Sequence, residues 1–138
     1  MTHWAFDYIG KPWVVASDGP DAYDCWGLVV AVQRRLYGHD LSIIPVAEND
    51  MKTLIRTMRD HPERQNWHTV ETPKEGPREG DVALLRQSRH PIHVGVWLDV
   101  DGGGILHAVQ GAGVVFQSLN NLNMTGWKIE NYYRHIEG

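Results

Sequence analysis

Apolar residues recur at Cys25, Leu28, Val29, Val32 and Leu36, the spacing of one helix face. Asp24 stands where an N-cap side chain accepts backbone N–H groups, and Gly38 where a left-handed C′ residue falls. The pattern predicts a helix over 25–37. Upstream, Trp4, Ala5, Tyr8 and Ile9 share one side of a short helix capped by Thr2 and ended by Gly10. Residues 11–23, with Pro12, Gly19 and Pro20, read as the loop that delivers the chain to Cys25. Residues 42–46 read as extended around Pro45. Asn49 or Asp50 caps a third helix with Met51, Leu54, Ile55 and Met58 inward, stopped by Pro62. Residues 67–70 suit a short strand.

The charged, turn-rich segment 73–80 divides this helical half from a second half of short strands: 81–86, 92–98, 105–109, 114–119 and 127–133. Turn residues at 88–91, 99–104, 111–113 and 120–126 separate them. Helices first and a strand meander afterwards predict an α+β fold, with the helical half packed on an antiparallel sheet of about five strands. Neither half looks self-sufficient, so residues 1–138 are read as one domain.

Composition narrows the function. A net charge of −4, with only the Arg34–Arg35 pair clustered, offers no basic field for nucleic acid. No stretch is long and apolar enough to span a membrane. The first seven residues lack the basic and apolar regions of a secretory signal, which sets the expectation of cytoplasmic synthesis. A single cysteine cannot form an internal disulfide.

That cysteine opens the predicted helix. There the helix dipole and the first-turn N–H groups favour the thiolate, the nucleophilic form. Position alone leaves a structural cysteine open as well. A cysteine nucleophile needs a base, and histidine is the natural one. Of the eight histidines, His93 and His107 fall in predicted strands joined by a turn with Asp99, Asp101 and Gly102–Gly104. A hairpin centred near residue 100 sets the two imidazoles nearly opposite on one sheet face. One can then act as base while the other orients it. His3, His39, His61, His68 and His135 fall in surface segments, and His90 sits in a loop before Pro91. Zinc held by Cys25, His90, His93 and His107 is the rival reading, but the spacing matches no usual metal motif; no metal or organic cofactor is expected. Asp18 and Asp21 read as solvated, and Asp24 as a cap that can also orient the preceding loop. Trp26 and Gly27 flank the cysteine, where the missing side chain of Gly27 admits either substrate or sheet. Trp4, Trp13, Trp97 and Trp127 read as core aromatics.

The runs Tyr8-Ile9-Gly10-Lys11-Pro12-Trp13, Asp24-Cys25-Trp26-Gly27-Leu28-Val29, Glu79-Gly80-Asp81-Val82, His93-Val94-Gly95-Val96-Trp97-Leu98 and Leu106-His107-Ala108 together resemble the NlpC-type papain-like cell-wall peptidases. The resemblance spans about residues 6–133. Tryptophan after the cysteine, where the family usually has serine, and the Tyr132-Tyr133-Arg134-His135 run are similar to the bacteriophage tail-assembly and gene-transfer-agent branch. The resemblance implies a papain-like fold with Cys25 as nucleophile, His93 as general base and acid, and His107 as orienting residue. It places Trp13, Asp24, Trp26 and Gly27 around the substrate and oxyanion site, with the Cys25 N–H in the oxyanion hole. It implies cleavage of amide bonds in peptidoglycan stem peptides, often between D-glutamate and a diamino acid. It also implies a place in a virion tail beside other tail-tip proteins. Two positions depart from the family: Trp13 replaces a tyrosine, and the loop 14–19 has one glycine where two are common. A tail-assembly protein that keeps the fold without hydrolysis is the alternative, and a related thiol amidase or acyltransferase is a third.

Alkylation of Cys25 followed against pH tests the helix-start reading. We expect a midpoint below the ordinary thiol value of about 8.5; a midpoint at or above it marks a structural thiol.

Overall fold

A computed structural model describes residues 3–38, 67–70, 76–88 and 93–135. The extended 42–46 segment, the third helix, Thr2, His39, His61 and His90 lie outside the described residues, as do the side chains of His68 and His135.

A 3-10 turn over Trp4–Asp7 comes first, capped by His3, whose Nδ1 accepts from the Ala5 N–H at 3.0 Å. Helix α1 spans Cys25–Tyr37. Its bounds match the periodicity because both stop signals act as expected: Asp24 Oδ1 accepts from the Gly27 N–H, and Gly38 adopts φ 70°. Six strands follow among the described residues: β1 (Trp67–Thr69), β2 (Val82–Arg86), β3 (His93–Leu98), β4 (Gly104–Val109), β5 (Gly113–Ser118) and β6 (Lys128–His135). They form one sheet in the order β1-β6-β2-β3-β4-β5, every neighbouring pair antiparallel. The five expected strands are present, and the short 67–69 strand adds a sixth at the edge beside β6.

One reading is corrected. The stretch 120–126, expected to be a plain break, carries a short helix α2 (Leu119–Met124). Ser118 caps it, its Oγ accepting from the Asn121 N–H, and Gly126 at φ 85° ends the turn that follows. Three asparagines in six residues hide the helix, because asparagine favours turns over helix interiors.

The sheet is buried on both faces, which is why β3 is wholly buried. On one face Leu28, Val29 and Val32 of α1 meet Val82, Val94, Val96, Leu106 and Ala108. On the other, Ala83, Leu85, Trp97 and Ile105 pack with Leu122 of α2 and Trp127. Each of the Val, Leu and Ile side chains among these contributes about 1.5–3 kcal/mol through removal from water.

Helix α1 is tied at its far end to the turn that leads into β2. Near its C-terminus, the Gln33 amide donates to the Gly80 carbonyl at 2.7 Å, and the Tyr37 hydroxyl donates to the Glu79 carbonyl at 2.8 Å. Burial and the nearby Asp81 and Glu79 charges push the Tyr37 pKa up, so the hydroxyl stays a donor into alkaline solution. Gly80 adopts φ 96°, a conformation that favours glycine, and a Cβ there would also lie 2.4 Å from that hydroxyl. The next residue, Asp81, is buried and paired two-pronged with Arg134 of β6, at 2.9 and 2.6 Å. The Gly-Asp run and the arginine of the C-terminal run therefore have structural roles.

Asp81→Ala should leave the largely buried Arg134 charge uncompensated and cost about 3–5 kcal/mol in urea unfolding. A loss under about 1 kcal/mol would show the pair to be solvated.

Candidate active site

The loop before α1 holds the cysteine by backbone geometry. Asp24 Oδ2 accepts from the Ala16 N–H at 2.7 Å, while Oδ1 accepts from Gly27 at 2.6 Å. One carboxylate thus caps the helix and holds Ala16 at φ 59°, a left-handed conformation that alanine rarely adopts. The Asp24 N–H in turn donates to the Ser17 carbonyl at 3.0 Å. That carbonyl explains Gly27: a Cβ there would lie 1.8 Å from the Ser17 oxygen. What approaches Gly27 is the preceding loop, and neither the sheet nor a substrate is needed to account for it. Trp26 is buried in the α1-side core, so its indole serves packing and does not line an open binding surface. Trp13 is half-buried against the same core and bridges to Tyr23. Cys25 itself is buried, 4% exposed.

Backbone contacts fix which end of the sheet Cys25 faces. Residues 12–14 exchange hydrogen bonds with Tyr23, while Gly10 and Lys11 bond to Val114 at the start of β5. Strand β4 ends where β5 begins, and β3, antiparallel to β4, starts at that end. Gln33 and Tyr37 at the far end of α1 reach residues 79–80, and Gly80 donates to the Trp97 carbonyl late in β3. The N-terminus of α1 and the start of β3 therefore share one end of the domain, bringing Cys25 and His93 to it.

His93 and His107 are almost fully buried, 1% and 0% exposed. His93 Nε2 lies 2.9 Å from His107 Nδ1. The hairpin joining them turns through Asp101 at φ 51° and Gly102 at φ 80°, with Gly103 N–H donating to the Val100 carbonyl. Leu98 pairs with Gly104, which centres the hairpin on residue 101 and not on the expected 100. The slip moves each partner by two positions, so both rings keep one face and meet diagonally. Gly95 stands opposite His107, where a Cβ would come within 3.0 Å of the His107 Cβ. Trp127 packs against both imidazoles, with ring centroids 4.7 and 5.3 Å away. Its reading as a core residue holds, and its place beside the histidines is new.

The next contact has no signal in the local residue pattern. His107 Nε2 lies 2.7 Å from Gln117 Oε1, and the Gln117 amide donates to Asn121 Oδ1 at 2.6 Å and Thr125 Oγ1 at 3.1 Å. Ile105 pairs with Gln117 and His107 with Val115, so this step is diagonal too. A polar chain thus crosses β3, β4 and β5 on one face and ends on α2. An open groove lined by Val109, Ala112, Val115, Gln117 and Trp127 runs beside it. Among the described residues, no three His, Cys, Asp or Glu side chains converge as metal ligands.

The sequence profile described as the NlpC/P60 family matches residues 10–132. No curated protein sequence matches the chain. The crystal structure of the NlpC/p60 domain of the peptidoglycan hydrolase SagA is similar in fold, with a TM-score of 0.54 and 22% identity. That match covers 94% of this chain and 92% of the SagA domain.

Gly27→Ala is expected to displace the Ser17 carbonyl and cost about 1–3 kcal/mol in urea unfolding. An unchanged midpoint would show that the loop yields freely.

Proposed function

The chain belongs to the NlpC/P60 family, and on that premise we propose that it is a cysteine peptidase that hydrolyses amide bonds of peptidoglycan stem peptides. The observation that carries this reading is the buried His93–His107 contact at the end of the domain where Cys25 opens α1. The substrate class is supported by the similarity to a domain whose parent protein is a peptidoglycan hydrolase.

In the proposed reaction, His93 takes the Cys25 proton and the thiolate attacks the amide carbonyl. Backbone N–H groups at the start of α1, that of Cys25 among them, stabilise the developing oxyanion. His93 returns the proton to the leaving amine as the tetrahedral intermediate collapses to a thioester. It then activates the water that releases the acid and restores the thiol. His107 holds the His93 ring in the working orientation. The Val109–Trp127 groove suits a peptide laid beside this centre. The bond between D-glutamate and a diamino acid is the proposed target. Delivery as a phage tail-tip component, in contact with other tail proteins and acting on the host wall, rests on Trp26 and the 132–135 run.

A second reading, an assembly protein that keeps the fold without hydrolysis, draws on Trp13 in place of the family tyrosine. Digestion of purified muropeptides, read by mass spectrometry, separates the two. We expect cleavage by the parent and a loss of at least about 10³-fold in Cys25→Ser. Equal cleavage by both proteins would overturn the assignment of the nucleophile. No cleavage by a folded parent would favour the assembly role.

A further inference from the structure

We propose that Gln117, oriented by Thr125, is a positioning residue that fixes the tautomer of His107 and so makes Nδ1 the basic nitrogen of His93. The inference rests on the peptidase reading for its kinetic consequence, but its structural content stands on the hydrogen-bond chain alone.

An imidazole in the orienting position has an ambiguity that a carboxylate lacks: a neutral ring presents one donor and one acceptor, and either order is chemically allowed. If His107 donated from Nδ1, His93 Nε2 would have to accept. The proton of a neutral His93 would then sit on Nδ1, leaving no lone pair there for the thiol. The correct order has to be imposed from outside the pair.

The imposition begins at backbone carbonyls, which can only accept. The Thr125 hydroxyl donates its single proton towards the Asn121 and Leu122 carbonyls of α2, at 3.0 and 3.1 Å. Its lone pairs are left to face Gln117, so the amide must present its NH₂ group there, at 3.1 Å. The amide oxygen is thereby turned to His107 Nε2, 2.7 Å away, and that nitrogen must carry the proton. A neutral His107 then accepts at Nδ1, and His93 Nε2 must donate across the 2.9 Å contact. A neutral His93 is left with its lone pair on Nδ1, the nitrogen that would take the Cys25 proton in the proposed reaction. After transfer, the imidazolium still donates from Nε2 along the same chain, so no partner has to reverse. The short helix α2 and its Ser118 cap thus act on the reaction by supplying the carbonyls from which the polarity starts.

The test uses the full chain labelled with ¹⁵N-histidine. Long-range ¹H–¹⁵N correlation reads which ring nitrogens carry protons, and muropeptide kinetics are measured on the same samples. In the parent we expect Nε2–H on both His107 and His93. In Gln117→Met, His107 should lose its single tautomer and kcat should fall roughly 10- to 100-fold, as when a hydrogen-bond partner that orients a functional histidine is removed, with or without a change in KM. Gln117→Glu keeps an acceptor towards His107, so it should retain Nε2–H and most of kcat. Thr125→Val leaves Gln117 facing only the Asn121 side-chain amide, which can present either its oxygen or its NH₂ group, so it should shift the tautomer in the same direction as Gln117→Met and covers the case of a misfolded Gln117→Met protein. A proton on His107 Nδ1 in the parent would overturn the proposal. So would an unchanged tautomer and kcat in Gln117→Met, or a change in KM alone, which would make Gln117 a substrate contact. An inactive parent that still shows the tautomer shift would sink only the peptidase reading.

Discussion

Two imidazoles buried against each other at 2.9 Å, inside a sheet covered on both faces, constrain everything around them. A buried polar group without partners costs free energy, so the nitrogens that the two rings turn to each other must be matched. The match between the rings requires the β3–β4 register to place them on one face, which the turn at Asp101–Gly102 sets. It also requires space, which Gly95 leaves opposite His107. Trp127 packs against both rings. In such a site each hydrogen bond is stronger than in water, so the direction of every proton matters.

Helix α1 is the second half of the same design. It is a rod held at its start by Asp24 and the Ser17–Ala16 loop, and near its end by the Gly80–Asp81 turn. The first attachment sets the cysteine at the positive end of the helix dipole, and the second sets the helix along β3. Asp81 serves the second attachment indirectly: by pairing with Arg134 it fixes the turn that receives Gln33 and Tyr37. Residues far apart in the chain thus converge on the placement of one thiol relative to one strand end.

What the sequence made legible follows from how local each signal is. The bounds of α1 could be read because cap, periodic face and stop lie within fifteen residues. The histidine pair could be read although the hairpin centre was misplaced by one residue, because strand alternation has a period of two and that slip preserves the face. Helix α2 was hidden by its asparagines, and the cap of the first turn fell to His3, whose imidazole substitutes for the usual short polar side chain. Gln117 was invisible for a different reason. Its role depends on β5 lying beside β4 and on a threonine eight positions later turning back towards it. No spacing rule links those residues to His107 before the sheet is known. Gly27 was read correctly as a site of close approach, but the approaching group, a loop carbonyl, could not be named from sequence.

The proposed chemistry passes through a thioester on Cys25, and that intermediate is the most direct object of measurement. A rapidly quenched reaction with a purified muropeptide, read by intact-protein mass spectrometry, should show an adduct on Cys25 with the mass of the acyl half of the cleaved peptide. Prior alkylation of Cys25 should abolish both adduct and product. Undiminished product from the alkylated protein would contradict the account.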